Sequence, residues 1–242
     1  MSLVPPTQFA LDTALYLWIV NLIVLVAIAI IFFRMYKGVG ATFYLGVTFF
    51  YIMYFVSRLS EVLRVWVIPQ ADWVTINTFP LDPISLSLNF WLKTTYTIFS
   101  YIGLTVIYFV LERYVFKRTK YLFTICVPII TVISIFDSLE PNRDATNGSI
   151  WLYISIPFFI ILLFGIVFMY TYLAIKSSGA VRRNSIIIIF GMLVFEFGLI
   201  FALPDATFLF ATIPPDFMTI SAPILMTLGV FLQIQGFRTT LD

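Results

Sequence analysis

Residues 11–33 are LDTALYLWIVNLIVLVAIAIIFF, a run in which Asp12 is the one charged side chain. A helix of about 20 apolar residues crosses the hydrocarbon core of a bilayer, so this run predicts a transmembrane helix. No basic stretch precedes it and it has the length of a full span. We therefore expect a membrane anchor and not a cleaved signal peptide.

The whole chain shares this apolar character. Of its 242 residues 61% are hydrophobic, 19% are aromatic and 11% are charged, whereas roughly a quarter of a soluble protein is charged. The alternating pattern of a membrane β-barrel is absent. We expect an all-α integral membrane protein with one domain, located in the plasma membrane with lipids as partners. The net charge of +2 gives no indication of nucleic-acid binding.

Proline, glycine and charged residues divide the chain into seven apolar segments. The predicted helices are residues 11–33, 42–67, 85–116, 121–136, 150–175, 184–203 and 217–237. They predict a seven-transmembrane helix bundle in which Pro223 kinks the last helix. Gly191, Gly198 and Gly229 would allow close contact between helices.

Basic residues are concentrated in the segments that follow the odd-numbered helices. They are Arg34, Lys37, Arg113, Lys117, Arg118, Lys120, Lys176, Arg182, Arg183 and Arg238. The segments on the opposite side contain Arg143, apart from Arg64 near a helix end. The positive-inside rule therefore predicts an N-terminus outside the cell and a C-terminus in the cytoplasm.

The chain contains no histidine, and Cys126 is its one cysteine. This composition excludes histidine-ligated haem or zinc, a Ser-His-Asp triad and an intrachain disulfide. An enzyme is the least favoured class, and we expect neither a cofactor nor a metal site.

The main candidate site lies in residues 57–64, SRLSEVLR, within the second apolar segment. Arg58, Glu61 and Arg64 are three residues apart, so they share one helix face in the outer half of the membrane. An ionisable residue inside a span costs at least about 2.5 to 3.5 kcal/mol and usually faces protein or water. Glu61 and Arg64 are also close enough to the helix end to reach the membrane interface.

Two other helices contribute charges to the same predicted layer. Lys93 and Tyr96 lie in the outer half of helix three, and Glu196 lies near the middle of helix six. The predicted ligand-binding residues are Arg58, Glu61, Arg64, Lys93, Tyr96, Glu196 and Tyr54, with Tyr51 as a further lining residue.

Two interpretations of this layer stay open. In one, Arg58, Arg64 or Lys93 binds a small polar or anionic ligand in an outward-facing pocket. In the other, Glu196 pairs with Arg58 or Lys93, Glu61 pairs with Arg64, and the ion pairs only fix helix register.

Four motifs, in order along the chain, carry a family resemblance. They are Phe90-Trp91-Leu92-Lys93 with Tyr96, Leu111-Glu112-Arg113-Tyr114, Gly179-Ala180-Val181-Arg182-Arg183-Asn184 and Pro214-Pro215-Asp216-Phe217-Met218-Thr219. Together they resemble the seven-transmembrane sensor region of bacterial and archaeal histidine kinases. In that family Glu61 would match a frequent acidic position in helix two, and Lys93 a basic or polar position in helix three.

The resemblance implies a membrane input module that perceives a small ligand or the state of the membrane. Such a module passes a helix shift to a cytoplasmic output. No kinase domain follows Phe237, so we expect either a truncated sensor or a module that signals through a separate cytoplasmic partner. The alternative is a transporter or a structural subunit of a larger membrane complex, although no repeat between the two halves favours a transporter.

Overall fold

The computed structural model describes residues 7–67, 83–139, 150–202 and 212–238. Within these ranges there are seven α-helices, one 3-10 helix and no β-strand. The α-helices are α1 (Gln8–Val39), α2 (Thr42–Val67), α3 (Pro83–Tyr114), α4 (Leu122–Leu139), α5 (Ile150–Lys176), α6 (Gly179–Phe201) and α7 (Pro215–Arg238). The 3-10 helix is Lys117–Thr119, between α3 and α4. Arg143 and the loops at 68–82 and 140–149 lie outside the described residues.

Five of these helices, α1, α2, α3, α6 and α7, are long and apolar enough to cross a membrane. Within the described residues, α4 and α5 contain shorter apolar helices, Leu122–Ile135 and Phe164–Lys176. The prediction of an all-α, multi-pass membrane protein is confirmed at this level.

The first helix is longer than its apolar run predicts. α2 has the predicted bounds, but α1 continues past Phe33 to Val39. Gly40 ends it with a φ of 73° and donates its N–H to the carbonyl oxygen of Tyr36 over 2.7 Å. Hydropathy indicates where apolar residues stop, whereas this helix stops where glycine adopts a left-handed backbone conformation.

Other predicted helix bounds also differ from those of the structure. α6 begins at Gly179 and not at residue 184, because its polar first turn is helical although it is not apolar. α4 continues to Leu139 and not to residue 136. α3 ends at Tyr114 and not at residue 116, since the N–H groups of Val115 and Phe116 both donate to the carbonyl oxygen of Leu111.

The helices divide between two compact units. One unit comprises Met1–Val24 and Leu163–Asp242, and the other comprises Leu25–Leu162. Both boundaries fall within helices, α1 and α5, and the single domain stays a prediction.

Aromatic side chains form part of the core in the unit Leu25–Leu162. The ring of Phe32 stacks on that of Tyr51, with centroids 5.8 Å apart, and on that of Tyr44, with centroids 6.1 Å apart. All three side chains are buried. In the same unit α3 packs against both α2 and α4. It therefore contributes residues to the candidate site beside α2 and leads to the turn before α4.

In the other unit, α6 and α7 approach each other through glycine. A Cβ atom on Gly191 would lie 2.9 Å from the carbonyl oxygen of Gly229, and one on Gly229 would lie 2.6 Å from the backbone nitrogen of Phe195. Any larger residue would separate the two backbones. The prediction that these glycines allow close helix contact is confirmed. α7 is continuous through Pro223.

Candidate functional site

The charged turn of α2 is buried on the face that the spacing predicts. Arg58 is 2% exposed and Arg64 is 5% exposed, and both face the same side of α2 as Glu61. The prediction that Arg64 could reach water at the membrane interface is wrong, because the residue is covered by protein.

Arg58 lies between two tyrosines from two helices. Its Nε donates to the hydroxyl oxygen of Tyr54 over 2.7 Å, and its Nη2 donates to that of Tyr96 over 3.4 Å. Its Cζ lies 5.0 Å from the ring centroid of Tyr54 and 5.1 Å from that of Tyr96. Each tyrosine thus offers the guanidinium both a hydroxyl acceptor and an aromatic face, and a desolvated cation–π contact contributes about 2 kcal/mol.

The register between α2 and α3 is set beside this cluster. The hydroxyls of Ser57 and Ser100 are 2.6 Å apart and share a hydrogen bond. Ser57 precedes Arg58 by one residue, and Ser100 follows Tyr96 by one helical turn. The pairing of Ser57 with Ser100 therefore keeps Tyr96 within reach of the long Arg58 side chain.

Glu61 and Arg64 form an ion pair. Nη2 and Nε of Arg64 donate to the two carboxylate oxygens of Glu61 over 2.8 and 3.0 Å. Both residues are on α2, so the pair ties one turn of that helix to the next. This pairing is the one that the structural interpretation expects for these two residues.

Lys93 and Glu196, the other predicted charges, differ in their surroundings. Lys93 is half-buried on α3, one turn before Thr97, whose hydroxyl donates to the Lys93 carbonyl oxygen over 2.9 Å. Glu196 is 5% exposed on α6, and its Oε2 has no hydrogen-bond partner among the described residues. Glu196 belongs to the unit that includes α6 and α7, so its pairing with Arg58 or Lys93 stays a prediction.

The structure therefore brings together part of the predicted set. Arg58, Tyr54 and Tyr96 form one cluster, which we call the arginine cage, and Glu61 with Arg64 forms a separate pair on the same helix face. Within the described parts of the chain, no group of three or more acidic or cysteine side chains is arranged to hold a metal ion.

A second polar site, at Glu112, was not predicted. Glu112 is 2% exposed, and its carboxylate accepts from the backbone N–H groups of Phe123 and Thr124 over 3.1 and 3.0 Å. The Thr124 hydroxyl donates to the same carboxylate. An acidic group at a helix N-terminus satisfies free N–H groups and complements the helix dipole, so Glu112 of α3 caps α4.

No local sequence signal predicts this cap. Glu112 lies 11 residues before Phe123, beyond the range of any capping-box spacing. The cap depends on the connecting turn, in which Lys120 and Tyr121 both have positive φ, 49° and 64°. Two consecutive left-handed residues without glycine are not predictable from composition.

Comparisons of the chain with protein-family models, with curated proteins and with solved structures find no match.

Proposed function

We propose that the protein is a seven-span membrane sensor that binds a small anionic ligand at the arginine cage and passes a helix shift to a cytoplasmic partner. Two helices beyond the five long spans support seven crossings. α4 has 18 residues and α5 has 27, which is about 27 and about 40 Å of helix at about 1.5 Å per residue. With the distribution of basic residues, seven spans place the N-terminus outside and the C-terminus in the cytoplasm.

The single observation that carries the proposed site is the burial of Arg58 between Tyr54 and Tyr96. A guanidinium in a membrane span is costly, and such residues usually mark the route or the binding site of a ligand. Its planar fork of N–H donors matches a carboxylate or a phosphate. The cage supplies a positive charge that donates to two tyrosine hydroxyls, and an anion is a stronger acceptor for a charged donor than a neutral hydroxyl is.

The proposed helix shift is based on the unequal lengths of the two hydrogen bonds from Arg58 to the tyrosines. The bond from Arg58 to Tyr54 is 2.7 Å long and stays within α2, whereas the bond to Tyr96 is 3.4 Å long and joins α2 to α3. The longer bond is the weaker one. An anion that replaces the Tyr96 hydroxyl would loosen α2 from α3 at this level, and α3 leads directly to the cytoplasmic turn.

Thermal unfolding with simple anions tests the proposal. The purified full chain in detergent is heated with inorganic phosphate, sulfate or acetate as probes, and with chloride at equal ionic strength as the reference. A ligand at 100 times its Kd raises the unfolding free energy by about 2.7 kcal/mol, and we expect at least one probe to raise the unfolding temperature above the chloride reference.

Two variants should remove this effect. R58Q removes the charge, and R58K keeps it but replaces the planar fork by a single ammonium, so we expect R58Q to abolish the shift and R58K to reduce it. R34Q is the matched control, because Arg34 is an exposed arginine on α1 that is not part of the arginine cage. If R58Q kept the full anion shift, the proposed site would be wrong.

A second candidate function is a structural subunit of a larger membrane complex or a transporter, in which the charges only lock the helices. The ion pair of Glu61 with Arg64 favours it, because a salt bridge between these two residues is the pairing that a structural lock requires. A lock predicts that Y96F lowers the unfolding temperature without changing any anion effect. A sensor predicts that Y96F alters the anion effect, since the ligand then has no hydroxyl to displace.

A further inference from the structure

The turn between α3 and α4 concentrates positive charge on the surface. Four exposed basic residues fall within eight positions: Arg113, Lys117, Arg118 and Lys120. We call residues 113–122 the basic turn. It lies in the unit Leu25–Leu162 and is separate from the arginine cage in sequence.

The acidic residue beside these cations does not offset their charge at the surface. Glu112 is buried, and both of its carboxylate oxygens accept hydrogen bonds from the start of α4. Residues 113–122 themselves contain no acidic side chain. The nearest carboxylate in sequence is therefore buried at the start of α4, whereas the four basic side chains are exposed.

The backbone of the basic turn is held in place. Phe116 is buried and anchors it, and the N–H and hydroxyl of Thr119 both donate to the Phe116 carbonyl oxygen, over 3.2 and 2.8 Å. Lys120 and Tyr121 then adopt left-handed backbone conformations that lead into α4. The cations thus project from a defined backbone.

The neighbouring apolar residues place this charge at the membrane boundary. The apolar span of α3 ends at Tyr114, and the apolar part of α4 begins at Leu122, which is 58% exposed. The exposed ring of Tyr121 stacks on Phe109 with centroids 5.7 Å apart. Aromatic rings with adjacent lysines and arginines are typical of the headgroup level of a bilayer.

We propose that the basic turn is a binding site for the phosphate groups of anionic phospholipids. Clustered basic residues directly beside a transmembrane helix attract anionic headgroups, and the exposed side chains of Tyr121 and Leu122 would contact the adjoining acyl region. The inference does not depend on the ligand of the arginine cage.

Native mass spectrometry of the full chain in a non-ionic detergent tests the site. The protein is titrated with phosphatidylglycerol, which is anionic, and with phosphatidylcholine, which has no net charge. We expect tighter binding of phosphatidylglycerol. In K117Q/R118Q/K120Q we expect the affinity for phosphatidylglycerol to fall about fivefold for each cation removed, roughly 100-fold in all, with phosphatidylcholine binding unchanged.

The α5–α6 turn offers a control of equal charge. Lys176, Arg182 and Arg183 are all exposed, so K176Q/R182Q/R183Q removes the same charge from a different turn. We expect this variant to keep most of the affinity for phosphatidylglycerol. An equal loss in both triple variants, or no loss in the first, would overturn the site.

Two competitors separate the lipid from other anions. If inorganic phosphate displaced phosphatidylglycerol at an equal concentration, the turn would bind a soluble anion instead. If a polyglutamate peptide bound more tightly than the lipid, the turn would be a docking surface for an acidic protein segment. Either result contradicts the proposal. The thermal unfolding temperature checks that each variant is folded, and K117Q/K120Q, with an expected loss of about 25-fold, repeats the test with both arginines retained.

Discussion

Glu112 and Glu196 are two buried glutamates with opposite surroundings. The carboxylate of Glu112 accepts three hydrogen bonds from the start of α4, two of them from backbone N–H groups. Oε2 of Glu196 has no hydrogen-bond partner among the described residues. The two side chains are almost equally buried, at 2% and 5% exposure.

The contrast shows that burial alone does not define the role of a carboxylate in this protein. A buried polar group is costly unless its hydrogen bonds are replaced, and those of Glu112 are replaced by a helix terminus. Glu112 therefore has a complete structural explanation. At Glu196 an oxygen lacks that compensation within the described chain, and a residue of this kind inside a membrane span is a functional candidate.

The largest effect should come from removing the cap. In E112A the first N–H groups of α4 lose their acceptor, and hydrogen bonds to a charged group contribute about 1.5 to 3 kcal/mol each. Because the three share one carboxylate, we expect a loss of about 3 to 5 kcal/mol and not their sum. Titration with SDS in mixed micelles, followed by tryptophan fluorescence, measures it.

The neighbouring residue supplies the control for that measurement. Arg113 is exposed, and R113A should change the free energy of unfolding by less than about 0.5 kcal/mol. E112Q keeps one carbonyl acceptor and should lose about half as much as E112A. Equal stability of E112A and R113A would contradict the cap.

A smaller effect should come from the donor side of the same contact. T124V removes the hydroxyl donor while the backbone N–H of residue 124 stays, so we expect a loss of about 1 to 2 kcal/mol. In the E112Q/T124V double variant the two losses should be non-additive by about 1 kcal/mol, because both changes remove one interaction.

Thr131 offers a matched threonine in the same helix. Its hydroxyl donates to the carbonyl oxygen of Val127, a neutral acceptor in its own turn, over 2.9 Å. T131V should lose less than about 1 kcal/mol, since no charged group is left without a donor. A loss as large as that of T124V would show that the carboxylate of Glu112 adds nothing to an ordinary hydroxyl contact.

The sequence predicts the helices better than it predicts their ends. The bounds of α2, residues 42–67, agree because its apolar run and its helix coincide. α1 and α6 extend beyond their apolar runs, since charged and small residues such as Arg34 and Ala180 continue a helix as well as apolar ones do. Hydropathy therefore predicts the number of apolar helices and not their lengths.

In the candidate site, too, the sequence predicts some contacts and not others. The contact of Arg58 with Tyr54 follows from a spacing of four residues on one helix. The contact with Tyr96 requires the register between α2 and α3, which the sequence places only to within a helical turn. The cap by Glu112 requires the turn at Lys120 and Tyr121, whose backbone no pattern predicts.

The smallest effect on stability should come from substituting Glu196. E196Q replaces a buried carboxyl group by a neutral amide of the same shape and removes no hydrogen bond from Oε2, so we expect the free energy of unfolding to change by less than about 1 kcal/mol, or to rise. As a predicted ligand-binding residue, Glu196 should nevertheless affect the anion-dependent shift in unfolding temperature, and we expect E196Q to alter that shift.

Glu61 provides the intermediate case for this series. Its ion pair with Arg64 is partly exposed, so E61Q should cost about 1 kcal/mol, between E112Q and E196Q. The same substitution, glutamate to glutamine, then ranks the three carboxylates by how many of their hydrogen bonds and ion pairs the structure provides. If E196Q were instead as destabilising as E112Q, Glu196 would have a structural partner that its charge stabilises. If it left both stability and the anion shift unchanged, the carboxylate would take part in neither packing nor ligand response.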